Sequence, residues 1–205
     1  MLLWLALPAL AQGPVLVIDA GHGGLDGGAS AADGTAESGL NLSIALRVRD
    51  LARLLGLPVR MTREAEELDY PAEEATIHAK KVWDQKRRVA LINSLAEARL
   101  LSIHQNNYPD PRPSGSQVLY GAVEGSSDWG EATHDALVSA LCPENRRVAA
   151  PISRDIFLMR SVNCPAILVE CGFLSNPAEA ARLKTAEYQR RIALVLIASY
   201  LQSAI

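Results

Sequence analysis

Two histidines and one glutamate follow directly on apolar runs. Pro14 to Asp19 (PVLVID) leads through Ala20 and Gly21 to His22, Ala98 to Ile103 (ARLLSI) leads to His104, and Pro165 to Val169 (PAILV) leads to Glu170. Continuous runs of this kind, rich in branched side chains, read as strands of a parallel sheet buried on both faces. In open α/β sheets ligands bind beyond the carboxyl ends of the strands. Three groups far apart in sequence would therefore meet at one sheet edge. An imidazole or carboxylate buried there costs free energy unless something compensates it, and a divalent metal does so. Each residue alone reads as readily as a cap, a partner for a backbone carbonyl or half of a salt bridge. Their common placement is what argues for a site.

Two histidines do not complete a hydrolytic zinc centre, which usually takes three protein ligands plus water, with two His and one Glu a common set. Asp19, Asp26, Asp33 and Glu37 are the acidic residues in and around the first loop, and spacing alone does not choose among them. Glu37 sits just before a helix, where the chain can turn back toward the sheet edge. Cys164 and Cys171 are rival soft ligands, but Cys171 adjoins Glu170 in a strand and so points to the opposite face, into the core. His78 lies in a charged segment and His134 on a helix. Neither ends a strand, and both read as ordinary surface histidines. The glycine loop GHGGLDGG does not match a dinucleotide fingerprint, because Gly21-x-Gly23 is followed by Asp26 where a third Gly is required.

The elements that must position these groups alternate. Gly21 to Gly39 reads as a long loop, a kind that is usually functional inside a compact domain. Leu40, Ile44, Val48, Leu51 and Leu55 form one helical face, closed by Gly56. Pro58 to Thr62 is a second strand. Glu64 to Glu74 holds six acidic residues in eleven, and Lys80 to Arg88 holds five basic residues in nine. This reads as a solvated, irregular segment leading into a helix continued by Val89, Ile92 and Ala96. Gly115 to Tyr120 is a further strand, Glu131 to Leu141 a helix, and Asp155 to Met159 a short strand. Asn176-Pro177-Ala178-Glu179 has the residues of a helix start. Tyr188, Ile192, Val195, Leu196 and Tyr200 mark a closing helix. The pattern predicts an α/β layered fold, one domain with a twisted, mostly parallel sheet flanked by helices.

Composition narrows the function. The chain has 205 residues, 49% apolar and 21% charged, with a net charge of −3 and 5% aromatics. That is a globular balance and a poor one for gripping a phosphate backbone or stacking bases, so nucleic acid is excluded as a partner. Three cysteines, Cys142, Cys164 and Cys171, make no disulfide framework and read as small buried hydrophobes. Residues 1–12 begin MLLWLALPAL, an apolar run too short to span a bilayer. It reads as an export signal with Ala9-Leu10-Ala11 as cleavage site, although no Lys or Arg precedes it; the rival reading is an N-terminal extension packed on the core. No later segment approaches the roughly 18 apolar residues of a membrane span.

Several stretches together resemble the zinc-dependent N-acetylmuramoyl-L-alanine amidases of the amidase-3 group. They are DAGHGGLDGGA, Glu37 with the helix NLSIALRVRDLARLLG, MTRE, RRVALIN, SIHQN and ILVECGFLSNP, in that order over residues 14–204. HQNNYPDPRPSGSQVLY, LCPENRRVA and HAKKVWDQKRRVALIN are similar to the germination-specific, spore cortex members, while Glu64 to Ala75 shares no recognised pattern. The resemblance implies that 13–205 is a catalytic domain holding one zinc through His22, Glu37 and His104, with Glu170 as the catalytic carboxylate. It implies hydrolysis of the amide joining the lactyl group of N-acetylmuramic acid to L-alanine in peptidoglycan, by an exported protein of the cell wall, periplasm or forespore intermembrane space. Ser102 and Asn106 would flank His104 on its own face as supporting partners or as strand-end hydrogen-bonding groups. Arg63, Arg154 and Arg160 would hold the carboxylates of the stem peptide, or else be solvated surface residues. The rival functions are a carboxypeptidase-like zinc hydrolase of the stem peptide and a non-catalytic peptidoglycan-binding relative.

Overall fold

The three runs that end in site residues lie side by side. In a computed structural model that describes residues 13–203 except Arg154, Val15–Ala20 (β1), Ala98–Asn106 (β3) and Ala166–Phe173 (β6) pair in parallel. Val59–Met61 (β2) extends the sheet in parallel beyond β1. On the other side Gln117–Tyr120 (β4) runs antiparallel to β6, and Ala150–Pro151 (β5) forms the outer edge. The sheet order is β2-β1-β3-β6-β4-β5. Residues 1–12 and Arg154 lie outside the described residues, so the export segment and one of the three arginines are not addressed by it.

Alternation along the strands feeds two cores. Leu16, Ile18, Leu101, Ile103, Ile167 and Val169 pack against helices Glu37–Leu54 (α1), Ser126–Leu141 (α3) and Ala186–Ser203 (α6). Val17, Leu100 and Leu168 face the other way, toward Ile77–Asn93 (α2) and Phe157–Ser161 (α4). Asn176 caps the short helix Pro177–Leu183 (α5), its side chain accepting from Ala178 N and Glu179 N. Gly56 takes φ +71° just past α1, as a helix-ending glycine does.

Three sequence expectations are corrected. Asp155 to Met159 does not form a strand; α4 begins at Phe157. The outer edge of β4 is already taken by β5, with Leu119 opposite Ala150 and Tyr120 opposite Pro151. Leu158 and Met159 instead bury themselves between the sheet and α2. His134 is not a surface residue: it is 1% exposed and its Nε2 lies 2.8 Å from Arg147 O. It shares a helical face with Gly130, Leu137 and Leu141, all buried. His78 is exposed, as expected. The charged segment is solvated only in part. Residues 64–76 form no helix or strand and are mostly exposed, but Arg63, Asp84 and Arg88 are buried.

Arg88 is the reason. From α2 its Nη1 donates to Asp19 Oδ1 at 2.8 Å and its Nε to Asp84 Oδ2 at 2.8 Å. Asp19 also accepts from Thr62 Oγ1 at 2.7 Å and Ser102 Oγ at 2.6 Å. One carboxylate thereby ties β1, the end of β2, β3 and α2 together. Burial pushes the Asp19 carboxyl up, but the Arg88 charge and the two hydroxyls outweigh it and hold it at about 2. Asp19→Asn is expected to destabilise the fold by about 3 kcal/mol in urea titration, because it leaves part of a buried cation unpaired; a loss well under about 1 kcal/mol would contradict the pairing. Since the folded value of about 2 lies below the ordinary 3.8, the contribution is complete above about pH 4 and lost as pH falls toward 2.

Candidate metal centre

β1 delivers the first ligand through a turn with no room to spare. A side chain at Gly21 would put its Cβ 2.3 Å from His104 Cε1 and Nε2. His22 follows at φ +60°, the one non-glycine residue of positive φ among the described residues. The turn then closes on itself, with Gly23 N donating to Asp26 O at 2.7 Å and Asp26 N to Gly23 O at 3.0 Å. This brings Asp26 Oδ2 to 3.0 Å from His22 Nδ1. With Nδ1 donating to a carboxylate, the Nε2 lone pair is left for a ligand, the arrangement typical of metal-binding imidazoles.

Glu37 opens α1 and turns its carboxylate back to the sheet edge. Oε2 accepts from Ala29 N at 2.9 Å, and Oε1 accepts from Gln105 N at 3.0 Å and Asn41 Nδ2 at 3.2 Å. His22 Nε2 stands 3.3 Å from Oε2, and His104 Nδ1 stands 3.1 Å from Oε1. The two rings meet edge to face, 5.0 Å between centroids. One donor atom each of His22, Glu37 and His104 lies within 4.8 Å of the others, so the group can bind a metal ion. Burial pushes the Glu37 carboxyl up, but the two imidazoles overcome it and hold it well below the usual range. Burial pushes His22 down, but Asp26 and Glu37 outweigh it and raise its ring to about 9.

Glu170 lies beside His104 in the β3–β6 register. Its Oε2 is buried without a hydrogen-bond partner. Burial, helped by the nearby Glu37 charge and opposed by His104, pushes its carboxyl up to about 7. A cavity of about 320 Å³ connects His22, His104 and Glu170 with an apolar wall that includes Phe157, Leu158 and Met159. Cys171 faces the other way into the core at 2% exposure, as its neighbour's orientation requires, and Cys142 and Cys164 are also free and buried.

The remaining candidates sort by their partners. Asp26 supports His22, Asp19 pairs with Arg88, and Asp33 is held by Thr35 and Lys184. Ser102 does not support His104 directly: its hydroxyl donates to Asp19 Oδ2 at 2.6 Å, and at Asn106 the strand-end bond is made by the backbone carbonyl, which accepts from Leu174 N at 2.8 Å. Arg63 meets neither expectation. It is 5% exposed and spends Nε and Nη2 on Ala20 O, Gly21 O and Ser38 O and Nη1 on Ala65 O and Glu66 Oε2, so it is no surface residue and has no fork left for a substrate. Arg160 is exposed and stacks over Phe157 at 5.4 Å. Asn41 and Gln105, which help hold Glu37, carry no sequence signal beyond adjacency to a helix start and a strand end.

A His–Glu–His group able to hold a metal ion thus lies beside a buried carboxylate oxygen without a partner, at the carboxyl edge of a largely parallel sheet. Residues 16–199 match the family described as N-acetylmuramoyl-L-alanine amidase, Amidase_3. The chain belongs to this family, and its enzymatic class, an amide hydrolase acting on peptidoglycan, follows from that membership. It is 36% identical over 183 residues to the germination-specific N-acetylmuramoyl-L-alanine amidase of Bacillus subtilis, covering 89% of this chain and 76% of that one. It is 26% identical over 211 residues to AmiA of Escherichia coli, covering 89% and 73%. Among solved structures it resembles the CwlD amidase from Clostridioides difficile in complex with the GerS lipoprotein, with TM-score 0.88 and 31% identity over 93% of this chain and 98% of that one.

The close contact at Gly21 gives a direct test of this packing. Gly21→Ala is expected to displace the His104 ring and destabilise the protein by about 1–3 kcal/mol, read as a lower Tm. Gly27→Ala, whose Cβ would sit 3.8 Å from Ala36 Cβ, is expected to leave Tm unchanged. Equal effects would contradict the contact.

Proposed function

We propose that His22, Glu37 and His104 hold one zinc ion, and that Glu170 is the general base for hydrolysis of the amide between the lactyl group of N-acetylmuramic acid and L-alanine. The observation that carries this reading is the carboxylate of Glu37 bracketed by two imidazole nitrogens beside a buried carboxylate oxygen of Glu170 that has no partner. The donor set suits zinc: two imidazoles and one carboxylate, with no thiolate directed at the site. When bound, the ion supplies a Lewis acid that acidifies water and polarises the amide carbonyl.

The protein's own groups account for the rest. Asp26 orients His22, and backbone N–H groups of Ala29 and Gln105 orient Glu37. Glu170, pushed up to about 7 by burial, has the proton affinity of a base that works near neutral pH. It takes a proton from the attacking water as the water oxygen bonds to the lactyl carbonyl carbon. As the carbon–nitrogen bond breaks, Glu170 passes that proton to the departing amine of L-alanine, and the lactyl group leaves as a carboxylic acid that gives up its remaining proton to become a carboxylate. The apolar wall of α4 limits water around the reacting bond.

The setting follows the relatives. The 36% identity to a germination-specific amidase supports spore cortex peptidoglycan as the substrate, and an amidase acting there works outside the cytoplasm. Residues 1–12 would direct export; N-terminal sequencing of the exported chain is expected to begin near Gln12, and an intact Met1 would contradict it. No helix among the described residues is long and apolar enough to cross a membrane. The similarity to an amidase solved with a lipoprotein supports a lipoprotein partner for this one.

Digestion of purified cortex is expected to free N-terminal L-alanine, and a chelator is expected to stop it. Release of a C-terminal residue would instead indicate a carboxypeptidase, and no new ends would indicate a binding relative. Glu170→Gln is expected to keep about one zinc per chain while turnover falls at least about 10²-fold. His104→Ala is expected to lose most of the zinc. Loss of zinc from Glu170→Gln would make Glu170 a ligand and overturn its role as base.

A further inference from the structure

The carbonyls of three successive residues in the ligand-bearing turn are each held by side chains from outside it. Arg88 Nη2 donates to His22 O at 2.6 Å and Nη1 to Ala20 O at 2.9 Å. Arg63 Nε donates to Ala20 O at 2.9 Å and Nη2 to Gly21 O at 3.1 Å, where Asn41 Nδ2 joins it at 3.1 Å. Both guanidinium groups are buried. Burying a cation is expensive, and two of them around one turn are hard to explain as packing alone.

The turn has a reason to need them. His22 sits at φ +60°, a left-handed conformation that a residue with a side chain adopts at a cost and keeps only when its surroundings over-determine it. Glycine would relieve the strain but would remove the imidazole. The ligand must therefore be held in the strained conformation from outside. Arg88 is shaped for this, because Asp19 and Asp84 fix its orientation through bonds of 2.8 Å each while its other N–H groups reach the two carbonyls. A planar fork serves four acceptors at once; the point charge of a lysine cannot.

We propose that Arg88, with Arg63 as a second jaw, is a positioning residue for the metal centre: it locks the left-handed backbone of His22 so that Nε2 faces Glu37. The proposal rests on the metal reading given above. Arg88 lines the cavity, but its donors and those of Arg63 are all spent within the protein, so neither offers a free fork to a substrate.

The test compares Arg88→Lys with Thr62→Val. The second also removes a hydrogen bond from Asp19 but leaves His22 O bonded. Two quantities are read on folded protein, judged by far-UV circular dichroism: the zinc dissociation constant by chelator competition, and amide hydrogen exchange of Gly23 and Asp26 in the metal-free protein. Arg88→Lys is expected to weaken zinc about 10- to 100-fold, the usual effect of removing support behind a ligand, and to speed exchange at both amides. Thr62→Val is expected to change zinc affinity less than about 3-fold and leave those amides protected. Asp84→Asn, which loosens the aim of Arg88 and also weakens the pairing of Arg87 Nη2 with the same side chain, is expected to give an intermediate loss and serves if Arg88→Lys does not fold. Wild-type affinity and wild-type exchange in a folded Arg88→Lys or Asp84→Asn would overturn the proposal. Faster exchange in a protein whose wild type binds no zinc would uphold the clamp and overturn the metal reading instead.

Discussion

Glu37 is an ionised carboxylate with 3% exposure at the mouth of a sheet, and most of the site can be understood as what it takes to keep it there. Such a charge is too costly to bury without partners. It receives two backbone N–H groups, from Ala29 and Gln105, one amide from Asn41, and an imidazole facing each oxygen. The partners come from three parts of the chain, so the glycine loop, the start of α1 and the end of β3 must all converge within a few ångströms. That convergence explains the glycines that flank it. Gly21 leaves room for the His104 ring, and a Cβ at Gly28 would stand 2.6 Å from Glu37 Oε2.

Three carboxylates near the same sheet edge meet three environments. Asp19 is paired with Arg88 and two hydroxyls, and its carboxyl falls to about 2. Glu37 lies between two imidazoles and is held well below the usual range. Glu170 has burial without a partner, and its carboxyl rises to about 7. Under the proposed function these three groups serve as structural anchor, ligand and proton carrier, and acid–base sites across folds separate their carboxyls in this way. The sheet makes the division possible, since adjacent parallel strands bring His104 and Glu170 into register while their sequence separation leaves each free to have its own surroundings.

Much of this was legible in the chain. Apolar runs ending in His22, His104 and Glu170 announced the strands and the edge at which they meet, because buried parallel strands have a simple pattern. The alternation that turns Cys171 into the core was equally readable. Spacing does not distinguish Glu37 from Asp26, since the path from the glycine loop into α1 depends on positive-φ turns that spacing does not encode; the assignment of Glu37 rests on resemblance. The roles of the arginines are not legible for a related reason: Arg63 reads in sequence as a substrate or surface residue, and Arg88 as one more charge of a solvated segment. Arg63 and Arg88 sit among many charges, and only the fold reveals that their partners include the backbone carbonyls of residues 20–22 and the carboxylates of Asp19, Glu66 and Asp84. The strand expected at Asp155 to Met159 failed because sheet edges are allotted by tertiary pairing, which local sequence does not record. The burial of His134 is carried by its helical face, which it shares with Gly130, Leu137 and Leu141 at helical spacing.

The account's central claim is that two imidazoles and one carboxylate, and no thiolate, hold the metal. X-ray absorption at the zinc edge of the metal-loaded protein tests this most directly. The account predicts a first shell of nitrogen and oxygen only, at about 2.0–2.2 Å, with the outer-shell scattering of two imidazole rings. A sulfur contribution at about 2.3 Å, or scattering from fewer than two imidazoles, would contradict it.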